Sequence, residues 1–293
     1  MKILTIHIKT IFLTFVLAGL SASIAQSQAS DTLNNKRLKT VIITGALSYS
    51  VTMIGLNSIW YSQHTKQSFR FFNDWPEWKQ MDKAGHVYAA FQISSIGSQG
   101  LQWSGVSKNK SHKASAITSF AILSSIEILD GFSSGYGASA SDWVANAVGS
   151  GFFLGQHLLW NEVRIHPKYS FHRTGFAKQR PTLLGDGLTE EMIKDYNGQT
   201  YWLSADMDKF LKFPKWLNLA VGYGAENMIY ARDIQNNSLG YRQLYVALDF
   251  DLTAIKSRSK VVNTLIFFAN MIKLPAPTVE FSQGRARARF FYY

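Results

Sequence analysis

Six polar side chains fall into three pairs at helical spacing. Asp82 and His86 are four residues apart, Glu127 and Asp130 three apart, and Asp142 and Asn146 four apart. On a helix, each such pair shares one face and sits one turn apart. Four carboxylates with one imidazole and one amide suit a hard or borderline divalent cation. Asp82, His86, Glu127, Asp130 and Asp142 are the candidate metal ligands, and Asn146 completes the polar cluster. The same groups also suit a proton-shuttling acid and base pair, with His86 as the base. Plainer roles are open as well. Asp82 and Asp142 can cap helices, His86 can be a hydrogen-bonded structural histidine, and Glu127 and Asp130 can pair with Lys83 or Arg164. The recurrence of one-turn pairs favours a binding or catalytic site.

The elements that carry these residues are apolar. No Asp, Glu, Lys or Arg occurs in residues 40–65, and further uncharged stretches run over 84–107 (apart from His86), 114–126 and 143–161. These predict four apolar helices, long enough to cross or lie against a bilayer. They are rich in Gly, Ser and Ala, including Gly97, Gly100, Gly149, Gly151 and Gly155, which lets backbones approach closely. A buried helical bundle in a soluble domain is the alternative. Lys108, Lys110 and Lys113 fall in one connection, and Lys66, Arg70, Lys79 and Lys83 in the one before it, so loop charge sets no orientation. Ionisable groups within such helices are costly unless they meet one another or a polar cavity, so the six are expected to converge.

After Glu162 the texture turns polar, aromatic and turn-rich, with Asn197-Gly198 a strong turn signal. Residues 216–230 around Gly222-Tyr223-Gly224 read as a strand. Leu244, Val246, Leu248, Phe250 and Leu252 alternate with polar or small residues as a second strand, and Asn236-Asn237 and Gly240 lie between the two as a hairpin connection. Residues 261–272 read as a short helix ended by Pro275 and Pro277. The tail 278–293 alternates again and ends in Phe290-Phe291-Tyr292-Tyr293, which resembles the last strand of outer-membrane barrels. The strands visible in this half are too few to close a barrel. His166, Lys168, His172 and Arg173 read as a solvated basic face or as anion contacts. The fold class expected is therefore α+β: a bundle of about four apolar helices over 36–164, then a β-rich region with hairpins over 165–293.

Composition sets the compartment. The 293 residues are 46% hydrophobic and only 17% charged, less than the quarter or so typical of soluble domains. Lys2 and Lys9 precede an uncharged apolar run at 10–20, and Ser23-Ile24-Ala25 offers small residues for cleavage, so residues 1–25 read as a signal peptide, with an uncleaved anchor as the alternative. Either form is exported. With no cysteine, the chain has neither disulfides nor thiolate metal ligands, and no lipid anchor on an N-terminal cysteine is expected. Net charge is +11, or +9 once Lys2 and Lys9 leave with the leader, which suits anionic head groups or envelope polyanions. No nucleic-acid-binding motif appears, and no nucleic-acid partner is expected. Nucleophile elbows, phosphate-cradling loops, zincin motifs and dinucleotide fingerprints are also missing.

Three stretches together suggest a family. Asp74-Trp75-Pro76-Glu77-Trp78-Lys79-Gln80-Met81-Asp82-Lys83-Ala84-Gly85-His86, then Ile126-Glu127-Ile128-Leu129-Asp130-Gly131-Phe132-Ser133, then Ala140-Ser141-Asp142-Trp143-Val144-Ala145-Asn146-Ala147-Val148-Gly149 resemble the uncharacterised YfiM-like family of envelope proteins. The block from Lys194-Asp195-Tyr196-Asn197-Gly198 through Ser204 is similar to one in longer members from Bacteroidetes-type bacteria. A looser likeness, through Asp82-Lys83-x-x-His86, Glu127 and Asp142-x-x-x-Asn146, is to the membrane-spanning VanZ-like proteins. The resemblance implies an envelope setting and no established reaction. The expectation is an exported envelope protein, with a membrane or envelope lipid and an outer-membrane protein as its partners. Its cluster would bind a divalent cation or a lipid or phosphate head group, or catalyse metal-dependent hydrolysis or transfer.

Overall fold

Among the described residues, four helices of 21 to 24 residues come first: α1 (Asn35–Leu56), α2 (Met81–Trp103), α3 (Lys108–Gly131) and α4 (Ala140–Trp160). A six-stranded antiparallel sheet follows, giving the α+β class that the sequence pattern predicts. The computed structural model describes residues 32–61, 64–237 and 239–292. The signal-peptide reading of 1–25 lies outside them. By contacts the chain divides into two compact units. One comprises residues up to 73, 89–157 and 257–265, and the other 74–88, 158–256 and 266–293.

In the first unit, helix starts follow from side-chain caps. Asn34 accepts from Arg37 N at 3.0 Å at the head of α1, and Ser139 Oγ accepts from Asp142 N at 3.0 Å at the head of α4. Small and hydroxyl side chains fill the helix contacts. Ser119 Oγ donates to Ala90 O (2.8 Å), and Tyr49 Oη lies 2.8 Å from Ser125 Oγ. α1 and α3 are long and apolar enough to cross a membrane by length and composition. α1 leaves Ile42, Ile43, Leu47 and Ile54 exposed. Residues 64–72 zip against the loop after α3 through Gln67 N→Phe132 O (2.9 Å), Arg70 N→Gly131 O (3.0 Å) and Phe72 N→Ala138 O (3.0 Å).

The second unit is built on the sheet. Its strands β1 (Ile165–Phe171), β2 (Gln199–Ala205), β3 (Leu217–Glu226), β4 (Tyr241–Phe250), β5 (Ala276–Ser282) and β6 (Arg285–Tyr292) pair in chain order as a meander. Short helices α5 (Pro181–Leu184) and α6 (Leu188–Lys194) connect β1 to β2. The β3–β4 hairpin matches the alternation read from sequence. β5 and β6 turn through Gln283 and Gly284, both at positive φ (48° and 71°), the mirror-type turn that suits strand twist. Helix α7 (Lys260–Ala269) stops short of the expected Ile272, because residues 271–273 are drawn to the edge of β1 through Tyr169 N→Met271 O (3.0 Å) and Lys273 N→Tyr169 O (2.9 Å).

The apolar core of the sheet is Trp202, Ala220, Tyr245, Ala247 and Tyr292. Gly222 is opposite Trp202 in the register, and a Cβ there would come within 2.6 Å of the indole, so only glycine admits the ring. The rest of the buried face is polar. Lys168 Nζ meets Asp249 Oδ2 at 2.7 Å, Phe250 O at 2.9 Å and Asn270 Oδ1 at 3.1 Å. Ser204 Oγ donates to the same carboxylate at 2.7 Å, and Lys273 Nζ is 3.8 Å from its other oxygen. The solvated basic face expected around Lys168 is thus corrected. Lys168 is 1% exposed, because its position in β1 alternates onto the inner side and its ammonium finds three acceptors there.

Candidate functional site

Asp82 and His86 occupy the first turns of α2, where the positive end of the helix favours a carboxylate. The approach to that helix is unusual. Trp78, Lys79 and Gln80 all have left-handed backbones (φ 48°, 52° and 64°), and none is glycine or asparagine. Each such residue costs about 1–2 kcal/mol and needs outside support. That support comes from the same unit: Trp78 N donates to Ala231 O at 2.7 Å, Tyr223 Oη to Lys79 O, Lys79 Nζ to Asp233, and Arg242 Nη2 to Gln80 Oε1 at 2.6 Å. The start of α2 is therefore aimed by contacts distant in sequence.

Both Asp82 oxygens are engaged. Oδ1 accepts from Tyr196 Oη at 2.8 Å and lies 3.8 Å from His86 Nε2, while Oδ2 is 3.0 Å from Lys83 Nζ. Lys83 also donates to Asp74 Oδ2 at 2.5 Å. Burial alone would raise the Asp82 pKa. The neighbouring His86 and the Lys83 ammonium, with the hydrogen bonds from Lys83 and Tyr196, outweigh it, so the carboxyl sits below its usual range and stays ionised. Tyr196 is held by a buried turn in which Asp195 Oδ1 accepts from Asn197 Nδ2 (2.8 Å), and Asn197 ties to Met228 through N→Oδ1 (2.7 Å) and Nδ2→O (2.9 Å).

In the first unit, Glu127, Asp142 and Asn146 are buried at 1%, 4% and 0% exposure. Glu127 Oε2 accepts from Ser139 N at 3.3 Å, and Ser139 Oγ in turn caps α4 and lies 2.9 Å from Ser141 Oγ. Ser139 thus ties the end of α3 to the start of α4, and it fills the capping role that Asp142 was open to. Asp142 and Asn146 follow one turn apart on α4. Asp130 is only half-buried. Tyr61 hydrogen-bonds to Asp130 and also feels Glu127. Desolvation first, then these two carboxylates, push its phenol far above the ordinary range, so Tyr61 is a neutral donor to this pair. Burial and then Asp130 push Tyr136 up to about 12.

The structure therefore brings Asp82 together with His86 in one unit, and Glu127 with the head of the Asp142 helix in the other. Tyr196, Tyr61 and Ser139 escaped the sequence reading. The available signal for Tyr196 was its place in the Lys194–Ser204 block, read as a turn and as a stretch of family resemblance with no role for the tyrosine. Chemically, an ionised carboxylate beside an imidazole supplies cation ligands or an oriented base, and buried carboxylates with an amide supply further oxygen donors. No curated protein and no solved structure matches the chain. Residues 70–156, the segment that carries all six cluster residues, are similar to the family described as "Predicted periplasmic lipoprotein (DUF2279)".

Proposed function

We propose that this is an exported bacterial cell-envelope protein that binds a divalent cation through its Asp82–His86 pair, directly or as the counterion of a lipid or phosphate head group. The family description of residues 70–156 supports an exported, envelope-associated protein. The observation that carries the binding reading is Asp82. It is a partly covered carboxylate kept ionised one turn from His86, at a helix start whose three left-handed lead-in residues are held by contacts from the same unit. In this reading Asp82 and His86 are the metal ligands.

The test is metal retention. The purified chain is equilibrated with Mn2+, desalted and analysed for metal, alongside Asp82→Ala and His86→Ala. Each variant is expected to lose metal while keeping its unfolding transition. Retention equal to that of the wild type in both variants would dismiss the site.

A second reading makes the cluster catalytic. His86 would act as general base beside its carboxylate, and the metal would activate water against a phosphate-containing envelope lipid or cell-wall intermediate. The Asp82–His86 pair favours it, and turnover of such a lipid by the wild type but not by His86→Ala separates it from binding alone. A third reading, a structural subunit of an outer-membrane assembly, draws on the last strand, whose Phe290 and Phe291 are exposed. Co-purification of a barrel protein that depends on residues 285–293 tests it.

A further inference from the structure

The polarity of the sheet is inverted. In water-exposed antiparallel sheets the apolar side chains turn to the core and the polar ones outward. Here the buried side holds the Lys168–Asp249–Lys273 group, and Glu280 bound by Arg289 (2.6 Å) and Ser282 (2.7 Å). The outward side is apolar. Its central row runs through Leu203, Val221, Val246, Val279 and Ala288, each facing the next across neighbouring strands. A second row passes from Leu244 through Phe281 to Ala286, while its β3 neighbour Tyr223 is taken up by the Lys79 carbonyl. Val279 at 38% and Leu244 at 56% span the exposure of the large aliphatic residues in these rows. Among outward positions of β2 to β6, the one charge is Arg242, at the very end of β4.

One end of this surface carries an amphipathic loop. Between β2 and β3 runs Phe210-Leu211-Lys212-Phe213-Pro214-Lys215-Trp216, with Phe210, Leu211, Trp216 and both lysines exposed. Trp216 stacks on Phe250 (6.2 Å, 12°), and its carbonyl accepts from Asp251 N, so the loop and the end of β4 form one rim. Aromatic rings beside lysines are what a membrane interface recruits, the rings at head-group depth and the ammoniums at anionic phosphates. From Leu217 to Val221 the apolar stretch of β3 is about 14 Å long, close to the acyl depth of one leaflet.

We propose that the outer face of this sheet is a lipid-contacting surface, seated against the acyl region of an anionic bilayer with the Phe210–Trp216 loop in the head groups. Charges are then sequestered inside and hydrocarbon meets hydrocarbon outside. Among the described residues β6 pairs only with β5. An unpaired strand edge is not tolerated in hydrocarbon, so the β6 edge, bearing exposed Arg285 and Arg287, stays at the head groups. The sheet accordingly rests in one leaflet. This surface is independent of the polar cluster, and its test reads nothing about metal.

The absence of cysteine makes that test clean. Single cysteines at Val221, Val246 and, in the β3–β4 connection, Asn237 are labelled with an environment-sensitive fluorophore in the full chain. The labelled chain is bound to phosphatidylcholine/phosphatidylglycerol vesicles, with and without brominated acyl chains. Labels at Val221→Cys and Val246→Cys are expected to blue-shift and to be quenched by bromine several-fold more than the label at Asn237→Cys. Lys212→Glu with Lys215→Glu should diminish this only on vesicles containing phosphatidylglycerol. Equal aqueous accessibility at Val246 and Asn237 on vesicle-bound protein overturns the proposal, even if apolar helices carry the chain to the vesicle. Burial of the Val246 label without vesicles, together with a dimeric mass, also overturns it and assigns the face to a second copy.

Discussion

Lys273 offers a test of the buried polar face through the sign of a pH effect. Its ammonium is fully covered, donates to Leu274 O at 2.9 Å and lies over Trp202 at 5.0 Å. Burial lowers its pKa from 10.5 to about 8; Lys168 pushes the same way, and Asp249 only partly compensates. Between pH 8 and 10.5 the unfolded chain therefore holds a proton that the folded chain has released, so stability rises with pH in that window and is lowest below it. At about 1.4 kcal/mol per unit, stopping near pH 9.5, before unfolded tyrosines ionise, the gain is about 2 kcal/mol. Lys273→Met removes this dependence. At pH 7 it also removes the cost of a buried ammonium, about 3 kcal/mol at most, against about 1 kcal/mol for the lost hydrogen bond to Leu274 O. The variant is thus expected to be about 1–2 kcal/mol more stable at pH 7, and to flatten the profile above pH 8. Urea unfolding followed by far-UV circular dichroism across pH 7 to 9.5 measures both quantities. A wild-type profile that falls through this window, or parallel profiles for the two proteins, refutes the reasoning.

Other perturbations have definite expectations. Asp249→Asn keeps the shape but leaves the Lys168 and Lys273 ammoniums facing each other without their carboxylate, so it should cost about 3–5 kcal/mol in urea unfolding; a loss under about 1 kcal/mol contradicts the buried network. Ser139→Ala removes the cap of α4 and should lower stability by about 1 kcal/mol while leaving helix content unchanged by circular dichroism. Gly131→Ala would drive a Cβ to 2.3 Å from the Phe69 ring, and is expected to cost about 1–3 kcal/mol, seen as a lowered melting temperature; Gly151→Ala, with open space around it, should cost nothing.

Part of this molecule is legible in its sequence, for physical reasons. The long uncharged runs announce α1 to α4, since a helix needs only local spacing and caps. The β3–β4 hairpin shows through its period of two. β1 does not, because alternation is read by assuming that polar residues face water. In β1 it is His166, Lys168 and Ser170 that point inward, with Pro167 between them as a further breaker signal. The pairing of Asp82 with His86 follows from helix geometry. The Tyr196 bond to Asp82 spans 114 residues and no local pattern encodes it. Likewise Trp78, Lys79 and Gln80 carry no glycine or asparagine to advertise their left-handed backbone, which tertiary contacts impose.

The central claim is that Asp82 and His86 ligate a divalent cation. Electron spin-echo spectroscopy of the full chain loaded with Mn2+ tests it most directly, because an imidazole nitrogen bound to the ion modulates the echo. The account predicts that modulation in the wild type, its disappearance in His86→Gln with the ion still held, and loss of bound Mn2+ in Asp82→Asn. An echo free of nitrogen modulation in the wild type, or one unchanged in His86→Gln, contradicts it.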